Sequence, residues 1–191
     1  MSIPRTSTRE HILKRATMLF QGRGYNGFSF KDISAPMGIR NAAIHYHFPT
    51  KSDLCSAVIT RYRDLLKSET GDFMKHGGSA KSQLEAYLAF IRHEILDARC
   101  MCPLTNVAVA MDTLPDEVRA QATMLSHDLL AYLTRVMELG REQGEFQFNC
   151  AAEQKALSVK ATLQGAGQLA RLMGPQVVDQ VIDQIRSDLG L

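Results

Sequence analysis

The sequence predicts an all-α fold of about nine helices, with an N-terminal three-helix helix-turn-helix head and a larger C-terminal helical domain. Three observations predict it. Apolar side chains recur at spacings of three and four almost throughout, and no segment alternates convincingly with period two. Glycine and proline break that pattern at short intervals, at Gly22 to Gly27, Gly38, Pro49, Gly77-Gly78, Pro103, Leu114-Pro115, Gly144 and Gly174-Pro175. Charge is also divided unevenly. Residues 1–51 carry eight Lys and Arg against Glu10 and Asp32, a net +6, whereas the other 140 residues net −4. A basic head on an acidic body points to a polyanion partner for the head and a separate task for the body.

Taken in order, Ile12, Ala16, Leu19 and Phe20 form the stripe of a first helix over about residues 5–22. The segment after it, "QGRGYNGFSF", holds Gly22-x-Gly24-x-x-Gly27, the spacing of a dinucleotide-binding fingerprint. That fingerprint must leave a strand and open a helix. These glycines follow a helix, so Gly22 or Gly24 is expected to be a C-cap and the segment a turn. Ser29 is then a good N-cap, and Asp32 completes a Ser-x-x-Asp capping arrangement for a second helix. Pro36 falls inside that helix, where it crowds the carbonyl of Asp32, so the helix is expected to be kinked or shortened. Gly38 permits a tight turn, and Arg40 or Asn41 opens a third short helix that ends near Phe48-Pro49. Two short helices joined through a glycine form a helix-turn-helix, whose second member can enter a major groove.

The body follows the same logic. Leu54, Val58, Tyr62 and Leu65 mark one helix, and Leu84, Tyr87, Leu88, Ile91 and Ile95 the next. Val118, Ala122, Leu125, Leu129 and Leu133 continue the pattern, and Val178, Val181, Ile182, Ile185 and Leu189 close it. The composition, 45% hydrophobic and 22% charged over 191 residues, is that of an ordinary soluble domain. No apolar run approaches the ~20 residues that span a bilayer, and the basic N-terminus lacks the apolar core of a signal peptide. A cytoplasmic location with no membrane partner is therefore expected. Cys55, Cys100, Cys102 and Cys150 are then reduced thiols, with no paired zinc spacing. His45 and His47 lie two apart on a helix and do not face the same way, so neither a metal site nor any cofactor is expected. Without a nucleophile elbow, P-loop or H-E-x-x-H pair, an enzyme is the weaker reading, as is a helical interaction module that does not bind DNA.

The stretch "GYNGFSFKDISAPMGIRNAAIHYHFPTKSDL" closely resembles the DNA-binding signature of the tetracycline-repressor (TetR/AcrR) family, over about residues 8–60. The resemblance implies a DNA-binding head at residues 1–50 and an effector-binding and dimerisation domain at 51–191. It implies a homodimeric transcriptional regulator, a repressor released from double-stranded operator DNA by a small-molecule or electrophile signal. Arg40, Asn41, Ala42 and His45 become candidates for base-edge contact, and Tyr46, His47 and Lys51 for phosphate. Ser29 and Lys31, at the positively polarised start of the second helix, are further phosphate candidates. His45 departs from the tyrosine usual at its position, and this makes a pH-responsive contact possible.

Residues 97–121, "DARCMCPLTNVAVAMDTLPDEVRAQ", resemble the corresponding region of a branch that senses electrophiles or oxidants through a thiol. Cys102 falls on that branch's cysteine position, with Cys100 as a candidate resolving thiol and His93 as a candidate neighbour. For a small-molecule pocket the candidates are Phe90, His93, Met111, Met124, His127, Tyr132 and Gln164. The last two helices offer a small-residue face at Gly165, Ala166, Gly167 and Ala170 beside the apolar stripe of Val178, Ile182 and Ile185. In the family such a pair meets its own copy as a four-helix bundle.

Overall fold

A computed structural model describes residues 7–75, 78–96 and 103–191, with the side chains of 69–75 and 103 outside the description. The described residues form nine α-helices and no strand. They are α1 (Thr8–Arg23), α2 (Phe30–Met37), α3 (Asn41–His47), α4 (Lys51–Lys75), α5 (Ala80–Leu96), α6 (Pro103–Ala110), α7 (Asp116–Glu142), α8 (Ala152–Met173) and α9 (Gln176–Asp188). A single 3₁₀ turn, Met111–Thr113, separates α6 from α7. The all-helical reading holds. None of the described helices is long and apolar enough to cross a membrane.

The chain packs as two compact units. One comprises residues 1–63 with 103–125, and the other 64–102 with 126–191. In the first, α1 buries Ile12, Leu13, Ala16 and Phe20, the one-face spacing of an amphipathic helix. α4 contributes Leu54, Cys55, Val58, Ile59 and Tyr62. Leu66 continues its buried face while Leu65 is exposed, so the stripe rotates by one residue from the one expected. Ser7 caps α1, its hydroxyl accepting from the Glu10 amide at 3.3 Å. Glu10 in turn holds Arg61 of α4 through both carboxylate oxygens, at 2.9 and 2.8 Å.

In the second unit one core joins α5, α7, α8 and α9, with Leu84, Leu88, Leu133, Met137, Leu163 and Ile182 among its members. Two ion pairs tie α5 to α9 outside that core. Arg92 meets Asp179 at 2.6 Å, and Arg186 meets Glu85 with both nitrogens, at 2.9 and 2.7 Å. Lys160 of α8 is buried, its ammonium donating to Ser126 Oγ at 2.6 Å. Nothing in the helical pattern of the sequence distinguishes it from a surface lysine.

The glycine-rich segment is a helix end, as expected. Gly24 adopts φ 70° at the C-cap of α1 and donates its amide to the Phe20 carbonyl at 2.9 Å. Gly27 has a different reason to be glycine, since a Cβ there would lie 2.2 Å from the carbonyl oxygen of Arg23. Gly22, inside α1, has open space where its Cβ would be. Gly27→Ala is therefore expected to destabilise the protein by about 1–3 kcal/mol through crowding against backbone. Gly22→Ala is expected to be neutral or to stabilise by up to about 1 kcal/mol. Urea unfolding midpoints of the two variants, moving in these opposite directions, check the assignment.

Candidate nucleic-acid interface

Both helices flanking α3 begin with the same carboxylate device. At α2, the Ser29 amide and hydroxyl donate to Asp32 Oδ2 at 2.8 and 2.7 Å. At α4, the Thr50 amide and hydroxyl donate to Asp53 Oδ2 at 2.9 and 2.7 Å. The second arrangement, Thr50-x-x-Asp53, was legible by the rule that identified the first. The Ser29 hydroxyl bond is the main reason that the Asp32 carboxyl titrates below its ordinary value. The Ser29 amide bond and Arg23, 3.5 Å away, add to it.

Of the two outcomes expected of Pro36, a kinked or a shortened helix, the shortening is not observed. α2 is not cut at Pro36 but runs on to Met37, ending at Gly38 in the left-handed region with φ 64°. The carbonyl of Asp32, which Pro36 deprives of its intrahelical donor, accepts instead from Arg15 Nε of α1 at 3.2 Å. Arg15 escaped notice because only the tertiary packing brings it to that carbonyl.

Arg40 is the extended N-cap of α3. Ile44 and Phe48 are buried and anchor the helix, while Arg40, Asn41, Ala42, His45 and Tyr46 are exposed. Tyr46 is 84% exposed, so its ring has no part in the core. His47 is half-buried, its ring edge-on to Tyr46 at 5.0 Å. The Asn41 side-chain oxygen accepts from Ser34 Oγ at 2.5 Å, which ties α3 to α2 and fixes which end of the amide is committed. His45 Nδ1 lies 3.0 Å from the Pro49 carbonyl, and its ring meets Phe30 edge-on at 4.8 Å.

Lys51 is half-buried. Its ammonium donates to the Phe28 carbonyl and lies 4.7 Å from the centroids of both Tyr25 and Phe28. Tyr25 and Phe28 thus position a predicted site residue, although nothing in their spacing marks them. Ser29 and Lys31 are exposed and line an open cleft of about 390 Å³ between α1 and α2, together with Arg15, Arg23, Asp32 and Pro36. α6 braces the α1 end of this unit, with Asn106 Nδ2 donating to the Phe20 and Gln21 carbonyls at 3.1 and 2.7 Å. Asn26 reaches Thr113 Oγ1 at 3.3 Å. Among the described residues, no group of three His, Cys, Asp or Glu could hold a metal ion.

The remaining predicted residues fall in both units. Met111 and Met124 are exposed and belong to the first unit. Phe90, His93, His127, Tyr132 and Gln164 belong to the second, where Phe90 and Tyr132 pack against the core while His93 and His127 are exposed. Gln164 is half-buried. The Tyr132 hydroxyl donates to the Gln83 carbonyl at 3.4 Å, and burial pushes it up to about 12. Cys100 and Cys102 lie outside the described residues. Cys55 is fully buried and its thiol is pushed up to about 12 by burial, which leaves it protonated and inert. Cys150 is half-buried.

Burial changes the interface reading of the last two helices. Ala166, Val178, Ile182 and Ile185 are interior to their own unit, because α9 turns that stripe toward α5 and α8. Gly165 and Ala170 are half-buried, and the apolar side chains left exposed on α8 are Leu157, Leu169, Leu172 and Met173.

Comparison with known proteins gives the same architecture. Residues 81–185 match the model "Tetracyclin repressor-like, C-terminal domain", and residues 12–58 match "Bacterial regulatory proteins, tetR family". A transcriptional regulator from Agrobacterium tumefaciens is 32% identical and superposes with a TM-score of 0.90 over 95% of this chain and 96% of its own. The HTH-type transcriptional repressor DhaR of Mycobacterium sp. (strain GP1) is 26% identical over 163 residues, covering 85% of this chain and 81% of DhaR. AibR, in complex with isovaleryl coenzyme A and operator DNA, shares the fold at 18% identity, with a TM-score of 0.73 over 94% of this chain and 98% of its own.

The Asp32 cap carries a pH signature. Its carboxyl is depressed in the folded state, so its contribution is complete above the ordinary aspartate range and is lost as pH falls through the folded value. Amide exchange at the start of α2, followed by NMR, is expected to accelerate beyond its intrinsic pH dependence below that range. Asp32→Asn is expected to show faster exchange at neutral pH and no such acid transition.

Proposed function

The chain belongs to the tetracycline-repressor family of DNA-binding transcriptional regulators, and from that premise we propose that it is a homodimeric, cytoplasmic repressor released from its operator by a small-molecule or electrophile signal. The observation that carries the DNA-facing assignment is α3, whose buried Ile44 and Phe48 leave Arg40, Asn41, Ala42, His45 and Tyr46 turned outward on one short helix. Arg40 at the helix start suits a guanine edge, and Ala42 suits a thymine methyl. The Asn41 amide nitrogen remains available to an acceptor while its oxygen is held by Ser34. Ser29, Lys31, Tyr46, His47 and Lys51 are assigned to the phosphates on either side. Lys51 must exchange the Phe28 carbonyl for a phosphate oxygen or share its protons between the two.

The sensing role is assigned to the C-terminal domain by the same family logic. AibR, in complex with isovaleryl coenzyme A and operator DNA, shows that a chain of this fold can hold a small molecule and DNA together. Effector binding would shift the population between operator-competent and operator-incompetent arrangements, a coupling typically of about 1–3 kcal/mol. A thiol version of the signal would act through Cys102. For the dimer, burial favours a face on α8 centred on Leu169, Leu172 and Met173, with Gly165 and Ala170 allowing close helix approach.

Two measurements test this reading. Fluorescence anisotropy on a selected duplex is expected to show binding that weakens steeply with salt. Arg40→Ala should cost about 1–3 kcal/mol and relax specificity at one position, whereas Lys31→Ala should weaken all sequences and flatten the salt slope by about one unit. Duplex binding that is insensitive to salt would count against the assignment. In sedimentation velocity, Leu172→Asp is expected to convert a dimer to a monomer that keeps its helical circular dichroism. A dimer unchanged by that substitution would remove α8 from the interface.

A further inference from the structure

We propose that His45 is a proton-linked phosphate contact, engaging DNA only as the imidazolium and donating from Nε2. The proposal rests on α3 being the DNA-facing helix. Its starting point is the 3.0 Å contact between His45 Nδ1 and the Pro49 carbonyl. A carbonyl oxygen has no proton to give, so this contact requires Nδ1–H in both charge states of the ring. The neutral ring therefore carries a bare Nε2, an acceptor only, while the protonated ring carries an Nε2–H donor. A 180° rotation of the ring would set Cδ2 in place of Nδ1 against that carbonyl and forfeit the bond, so the Pro49 contact itself favours the observed orientation.

A phosphate oxygen is likewise only an acceptor. Neutral His45 cannot hydrogen-bond to it, and one added proton turns a lone-pair clash into a charge-assisted bond. The surroundings favour phosphate over a base edge. His45 lies between Phe30, the first residue of α2, and the turn that leads into α4, beside the positive ends of two helix dipoles. The N-terminal residues of α3, Arg40 to Ala42, are left for the base edges.

The charged groups at the adjoining ends of the elements around it are Lys31 and Asp32 on α2, Arg40 and His47 on α3, and Lys51 and Asp53 on α4. Asp32 is held by Ser29, Asp53 by Thr50, and the Lys51 ammonium by the Phe28 carbonyl. With the two carboxylates already committed, an incoming phosphate is the group that would favour the imidazolium. DNA binding is then accompanied by the uptake of a proton at each His45 that engages a phosphate.

The test uses the full chain and a duplex that the wild-type protein selects from a random-sequence library at pH 6.5. Its Kd is measured by anisotropy from pH 6 to 8 at constant ionic strength. Wild-type Kd is expected to rise with pH, approaching about tenfold per unit for each His45 that releases a proton, and so about a hundredfold for a dimer bound through both heads. His45→Phe and His45→Tyr are expected to flatten that rise. His45→Tyr, which keeps a donor that does not titrate here, should bind more tightly than His45→Phe at pH 8. His47→Gln should weaken binding yet keep the rise. Equal pH slopes in wild type and both His45 variants would overturn the proposal while leaving a DNA-binding regulator in place. Loss of the slope in His47→Gln alone would overturn it in favour of the neighbouring ring. Failure to select any duplex would sink the DNA-facing reading of α3 and this proposal together.

Discussion

A helix of seven residues cannot hold itself together in water, because the cost of nucleating it exceeds what two turns of hydrogen bonds return. The head depends on solving this problem for α3. Ile44 and Phe48 supply the anchor from within, and the side-chain bond between Asn41 and Ser34 fixes the start of the helix against α2. The contacts of His45 with Pro49 and Phe30 fix its far end. The flanking helices must therefore begin at defined residues. The matched carboxylate caps at Asp32 and Asp53 provide that definition by satisfying amides that would otherwise be orphaned.

The same requirement explains how the exposed polar surface is organised. Several side chains assigned to DNA already make contacts inside the protein. Lys51 is held over two aromatic rings, Asn41 is oriented by Ser34, and His45 by a backbone carbonyl. Each contact costs the free protein side-chain entropy, so these side chains are already held in place before any partner arrives. Arg15 shows the converse economy. Its guanidinium spends a bond on the Asp32 carbonyl, and this lets a proline sit in α2 without breaking it.

In the second unit, burial sorts two apolar stripes that look alike in sequence. Val178, Ile182 and Ile185 are absorbed by α5 and α8, and the α5–α9 ion pairs close over them at the surface. Leu157, Leu169, Leu172 and Met173 of α8 stay exposed among the described residues, with Leu172 the most exposed at 84%. An interface assigned from hydrophobicity alone falls on the interior stripe. The large apolar side chains left exposed on the last two helices lie on α8 instead.

The sequence by itself determined the helical class, a turn within Gly22 to Gly27 and the Ser29–Asp32 cap. All of these are local: periodicity, capping and backbone conformation act over a few residues and leave their signature there. The charge division between head and body was equally legible, since it is a sum over the chain. Only the tertiary structure decided the fate of the Asp32 carbonyl, the aromatic seat of Lys51 and the burial of Lys160. It alone decided which apolar stripe of the last two helices is interior, and that Asn106 on α6 braces the end of α1 some 85 residues earlier. Each of these depends on a contact between residues far apart in the chain. A periodicity fixes which face of a helix is apolar, but it cannot say what that face will meet.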